Sequence, residues 1–111
     1  MIVRNSEELL SHGNRIGREI VLDIIEHALK AVDAHEAMKK LTSISGENLT
    51  IGSFTFQLPE IGEIYVVGAG KATLPIAEVL EDVLGNRIRE GFVSERKGGV
   101  YEHILKRIKV I

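Results

Sequence analysis

The residues best placed to do chemistry lie in one stretch, Ile64-Tyr-Val-Val-Gly-Ala-Gly-Lys-Ala72. An apolar run breaks at Gly68, Ala69 and Gly70, places Lys71 at the break, and continues in a helical pattern. A strand that ends in glycines and feeds a helix offers free backbone N–H groups and the positive end of a helix dipole at one point. That combination suits an anionic ligand. Lys71, read as part of the first helical turn, opposes the dipole unless an anion sits between them. A carboxylate or a phosphate would satisfy both. Pro75 cannot donate, so the regular helix is expected to begin close to it. Residues 68–74 are then expected to form an open loop with unpaired donors.

Two familiar grammars fail here. A P-loop requires Gly-x-x-x-x-Gly-Lys-Ser/Thr. Tyr65 stands where its first glycine belongs, and Ala72 where its magnesium-binding hydroxyl belongs. A dinucleotide fingerprint requires Gly-x-Gly-x-x-Gly/Ala. Thr73 holds its third position. The plain alternative is steric: the glycines let a helix pack close to a strand. A second polar loop, Glu95-Arg96-Lys97-Gly98-Gly99, follows the next β-prone run. In a parallel sheet it would lie at the same carboxyl edge. It is either a solvated turn or a second anion contact through Arg96.

The elements that position these loops follow from periodicity. Ser6 is expected to cap a short helical turn through Leu10, stopped by Gly13. Ile16, Ile20, Ile24, Ala28 and Val32 recur four apart, which predicts a helix over 15–32 with an apolar face. Asp23, Glu26, His27 and Lys30 make its wet back. Asp33 and Glu36 have capping-box spacing, so a second helix is expected from His35 to Leu41. Leu41–Asn48 reads as a polar loop. A hairpin around Gly52-Ser53 follows, ended by Pro59. Ile64–Val67 is apolar throughout, as in a central parallel strand. A helix is expected over 69–84, ended by Gly85-Asn86, and a strand over 89–94. Residues 100–105 read as a partial helix or turn, and 108–111 as another strand. The β-α-β order predicts an α/β fold: a Rossmann-like parallel sheet flanked by helices, with an N-terminal helical segment and a small hairpin.

Length and composition set bounds. At 111 residues the chain is one domain, and a strand at its very end suggests a partial one with an unfinished sheet edge. Such an edge, with unpartnered apolar faces, is expected to drive self-association. A net charge of −2 gives no basic surface for nucleic acid. Apolar runs are too short to cross a bilayer, and the N-terminus does not read as a signal peptide. The absence of cysteine excludes disulfides and thiolate chemistry and fits the cytoplasm. The four histidines lack metal-ligand spacing.

Taken together, three segments resemble the type II glycerate kinases (the MOFRL/DUF4147 family), formerly labelled hydroxypyruvate reductases. Ala28-Leu-Lys-Ala-Val-Asp-Ala-His-Glu-Ala37 is similar to the family's ALxAVDPxxA. Ile64–Ala72 matches VVGAGKA, and Gly91–Gly98 falls where the family has GVVVTKYG. The resemblance covers roughly residues 15–111, the front of a much longer protein. It implies transfer of the γ-phosphoryl of ATP to glycerate with Mg2+, giving 2-phosphoglycerate in many members. It places Lys71 in the active cleft as the catalytic residue. Gly68, Ala69, Gly70, Lys71 and Arg96 are the substrate-binding residues it implies. Lys97 and Gly99 depart from the family's tyrosine and histidine. No magnesium ligands can be assigned here, so the nucleotide and metal sites are expected mostly in the missing C-terminal part. The 111-residue chain alone is expected to be inactive. Two other readings stand beside this one: a hydroxypyruvate-reducing oxidoreductase and a non-enzymatic anion-binding module.

Overall fold

A computed structural model describes residues 2–96 and 105–111. The chain forms two compact units, Met1–Asp33 and Ala34–Ile111.

The first unit holds α1 (Ser6–Leu10) and α2 (Arg15–Ala31). Ser6 is not the cap expected of it. It is the first helical residue, and Asn5 precedes it without a side-chain bond. The true cap is Asn14, whose Oδ1 accepts the Gly17 N–H at 3.0 Å and so fixes the start of α2. Arg18 donates to the Leu9 carbonyl at 2.8 Å and ties the two helices.

Burial on α2 departs from the sequence reading. The buried residues are Leu22 and Glu26, whereas Ile16, Ile20, Ile24 and Val32 are exposed. The wet back thus contains a buried acid. Glu26 is buried because its carboxylate accepts two main-chain bonds, from Ile2 N–H at 2.9 Å and Val3 N–H at 2.6 Å. Those bonds favour the charged form, and the Ile2 bond most strongly holds the Glu26 carboxyl below its ordinary value. A group depressed by folding contributes stability above its unfolded value, near 4.3 for glutamate, and loses it as pH falls through the folded value. Wild-type protein should therefore exceed Glu26→Gln in thermal midpoint at pH 6. The gap should close as the pH is lowered past 4, read by circular dichroism melts.

The second unit starts with α3 (Ala34–Leu41) and a three-stranded antiparallel meander. Its strands are β1 (Thr42–Ser45), β2 (Asn48–Ile51) and β3 (Phe54–Gln57). The expected hairpin at Gly52-Ser53 is β2–β3, with Ile51 opposite Phe54. The expected polar loop before it is instead β1, paired with β2 from Thr42↔Ile51 to Ser45↔Asn48. The two serines of Thr42-Ser-Ile-Ser45 face out and hide the alternation, while Thr42 is buried and Ile44 half-buried. The Thr42 hydroxyl has no hydrogen-bond partner among the described residues. A buried, unpaired hydroxyl is costly, so Thr42→Val should stabilise the protein by about 1 kcal/mol in urea titration.

A short 3-10 turn over Leu58–Glu60 leads to the parallel sheet. Its strands are β4 (Ile64–Gly68), β5 (Ile88–Val93) and β6 (Ile108–Val110), in the order β4-β5-β6, all parallel. Between β4 and β5 runs α4 (Thr73–Leu84), which packs on α3, β1, β5 and β6. Ala77 and Leu84 of α4 join Ile88, Val93 and Ile108 of the sheet and Leu49 of the meander in one core. The apolar period of α4 and the continuous Ile-Tyr-Val-Val run thus meet as β-α-β packing requires. Glu81 of α4 accepts the Arg107 N–H at 2.6 Å and fixes the turn into β6.

One strand sits elsewhere than its sequence suggests. β4 is an edge strand among those described, not a central one, and it alternates: Tyr65 and Val67 are exposed, Val67 at 80%. Phe92 and Ile111 are exposed as well, and Lys109 lies 5.4 Å from the Phe92 ring centre. At the amino end of β4, the hydrogen bond to Glu63 raises the Tyr65 phenol above its ordinary value. The expectations for residues 97–104 lie outside the described residues.

Candidate functional site

The site lies where the parallel strands end. Gly68 of β4 is level with Val93 of β5. Three main-chain bonds carry the pairing past the strands: Ser94 N–H to Gly68 O at 3.0 Å, Ile111 N–H to Val93 O at 2.9 Å, and Glu95 N–H to Ile111 O at 2.9 Å. The loops that begin at Ala69 and at Ser94 therefore leave the same edge from fixed, adjacent starts. This is the carboxyl edge, where ligands of parallel α/β sheets bind.

The local chain explains the shape of the first loop. Gly68 passes so close to α4 that a Cβ there would meet the Thr73 Cγ2 methyl at 2.6 Å. Gly70 has φ +120°, a conformation side-chain-bearing residues rarely adopt. The steric role of the glycines is thus real. It coexists with the open loop the sequence suggests. The helix begins at Thr73, with Ala72 at the cap position offering no side-chain acceptor. Thr73 N–H turns back to Gly70 O at 3.2 Å, and Ile76 N–H to Ala72 O at 3.3 Å. Among the described residues, the N–H groups of Ala69, Gly70, Lys71 and Ala72 find no acceptor.

Lys71 is a correction in detail. It belongs to the loop, two residues before the helix, rather than to the first helical turn. Its conflict with the dipole is thereby eased, and its ammonium is free to reach a ligand. It is exposed and has no ion pair among the described residues. Arg96 is also exposed. Its main-chain N–H donates to Glu95 Oε1 at 2.7 Å, and its guanidinium has no ion pair among the described residues. All five residues expected in the site thus lie at one edge: Gly68 ends β4, Ala69, Gly70 and Lys71 form the loop after it, and Arg96 lies in the loop after β5. Beside Gly68 lies a small apolar hollow of about 190 Å3, lined by Val66, Ala69, Thr73, Ile76 and Val93. Sequence reasoning passes over Thr73, which shapes the loop. Its signal is the very mismatch that breaks the dinucleotide pattern. No cluster of three His, Cys, Asp or Glu that could hold a metal occurs among the described residues.

The family model described as a domain of unknown function, DUF4147, matches residues 20–111. This chain belongs to the DUF4147 family. The DUF4147 chain is 33% identical over 94 residues to the glycerate 2-kinase of Pyrococcus horikoshii, covering 85% of this chain and 20% of that protein. It is 34% identical over 77 residues to the glycerate kinase of Rattus norvegicus, covering 68% of this chain and 14% of that one. The crystal structure of the PH0495 protein from Pyrococcus horikoshii OT3 resembles it with a TM-score of 0.66 at 33% identity, again over 85% of this chain and 20% of that one. The chain therefore spans between 14% and 20% of the length of these relatives. The family read from the three matching segments and the α/β fold read from the β-α-β order both hold.

Proposed function

We propose that this chain forms one wall of the active cleft of an ATP-dependent glycerate kinase that yields 2-phosphoglycerate. The observation that carries the reading is the loop 69–72. Its N–H groups and Lys71, without partners among the described residues, sit at the carboxyl edge of a parallel sheet, in a chain whose relatives are named glycerate kinases. Phosphoryl transfer is mainly positioning and neutralisation of charge on the moving phosphoryl group. The loop's donors and Lys71 suit that chemistry, because they can hold the glycerate carboxylate or the phosphoryl oxygens in place as the bond forms. Arg96 adds a second cation from the neighbouring loop. Magnesium, when bound, would neutralise nucleotide phosphates. Its ligands would come mostly from elsewhere in a full-length cytoplasmic enzyme; no group of three His, Cys, Asp or Glu that could hold a metal occurs among the described residues. By the same argument the 111-residue chain alone is inactive. The test is a coupled assay of the full-length enzyme with glycerate and ATP, run beside hydroxypyruvate and NADH. ADP formation that depends on glycerate supports the reading. NADH oxidation without ADP formation refutes it.

A further inference from the structure

We infer that the free edge of β4 receives a further parallel strand from the part of the full-length enzyme outside this chain, an inference that rests on the one-wall reading but not on the reaction assigned to it. β4 pairs with β5 on one side, and no described strand lies on its other side. The main chain shows which groups are left over. The Gly68 carbonyl accepts the Ser94 N–H, so Gly68 and Val66 turn their main-chain groups toward β5. Peptide groups alternate along a strand, so those of Tyr65 and Val67 face the vacant side.

Natural sheet edges are guarded by lysine, proline or inward charge. Ile64-Tyr-Val-Val-Gly68 carries none of these. Its two faces are also open. Tyr65 is 57% exposed and Val67 80%, on the face opposite the core. On the core face, the hollow of about 190 Å3 between β4 and α4 is walled by Val66, Ile76, Leu80 and Val93. Such walls fit an aliphatic side chain, because a polar one would lose its water there without gaining a partner. The occupant is thus an extended segment that is apolar on both faces, as strands within a parallel sheet are. Its source follows from length. This chain covers 20% of the Pyrococcus horikoshii protein and 14% of the rat one, so most of such a protein lies outside it.

In open α/β sheets the ligand crevice lies where the strand order reverses, outside the carboxyl ends of the strands. A parallel strand added to β4 makes β4 the strand beside that crevice. The loop that leaves the new strand then stands across from Gly68 and Lys71, as the opposite wall of the cleft.

Amide hydrogen exchange in the full-length enzyme, resolved to single residues and run without substrate, tests the edge. Tyr65 and Val67 should exchange within about tenfold of Val66 and Gly68, whose N–H groups face β5. Exchange at Tyr65 and Val67 about 10³-fold faster than at their neighbours overturns the inference. A photo-crosslinker at Val67 identifies the occupant, since paired strands lie about 4.8 Å apart. Full-length enzyme carrying Val67→p-benzoylphenylalanine should cross-link, within one chain, to a segment outside these 111 residues. A product between two copies, products confined to residues 1–111, or no product overturns it. Neither measurement uses glycerate or ATP. A protected edge in a protein that never phosphorylates glycerate would therefore refute the assigned reaction and leave this inference standing.

Discussion

Lys71→Ala in the full-length enzyme is expected to reduce kcat/KM for glycerate by about 10²- to 10³-fold, the loss typical of one preorganised donor to a developing anion. The argument is electrostatic and local. Lys71 stands in a loop whose N–H groups lack acceptors, and no carboxylate neutralises it among the described residues. Its exposed side chain makes no packing contribution that folding would miss. Stability should accordingly stay within about 0.5 kcal/mol of wild type, as for most surface substitutions. Activity and stability thus separate, and a melt beside the assay shows it. Lys71→Arg keeps the charge and should recover part of the rate, but a fork replaces a point charge and the recovery is incomplete. Near-normal phosphorylation by Lys71→Ala would remove this residue from the cleft.

Gly68→Ala is the second large effect, and it has a built-in control. The new Cβ would lie 2.6 Å from Thr73 Cγ2, well inside van der Waals contact. Overpacking of that kind costs about 1–3 kcal/mol and pushes the loop away from α4. Thr73→Ser removes that methyl alone. The pair Gly68→Ala with Thr73→Ser should therefore recover most of the lost stability, with a coupling of about 1–2 kcal/mol in a double-mutant cycle by urea denaturation of the full-length enzyme. Gly70→Ala should also destabilise, by about 1–3 kcal/mol, because its φ of +120° strains any side-chain-bearing residue. Thr73→Ser should not rescue it. Two glycines two residues apart would then show two separable causes: contact at one, backbone conformation at the other. Equal rescue at both positions would contradict that division.

Much of this is legible in the residues. The β-α-β order, the glycine break, the ends of α2 and α3 and the turn at Gly52-Ser53 follow from periodicity and punctuation. The misreadings share a physical cause: periodicity names an apolar side without naming its neighbour. Ile64–Val67 is as apolar as a central strand, yet strand order depends on pairings set by distant segments, and β4 lies at an edge. Glu26 reads as wet because acids usually are. Its burial depends on two N–H groups more than twenty residues away in sequence. β1 is hidden because Ser43 and Ser45 face solvent, where serine is common in loops as well. Within the site, the loop and its lysine are readable from the break in pattern. The start of α4 is not, since the cap position falls on Ala72, which carries no capping signal.

The most direct measurement follows phosphorus itself. Full-length enzyme is mixed with glycerate, ATP and Mg2+, and the solution is watched by phosphorus NMR. The γ-phosphate signal of ATP should decline as a phosphomonoester signal of 2-phosphoglycerate grows in equal amount. An unchanged ATP spectrum, with hydroxypyruvate and NADH consumed in a parallel sample, would contradict it.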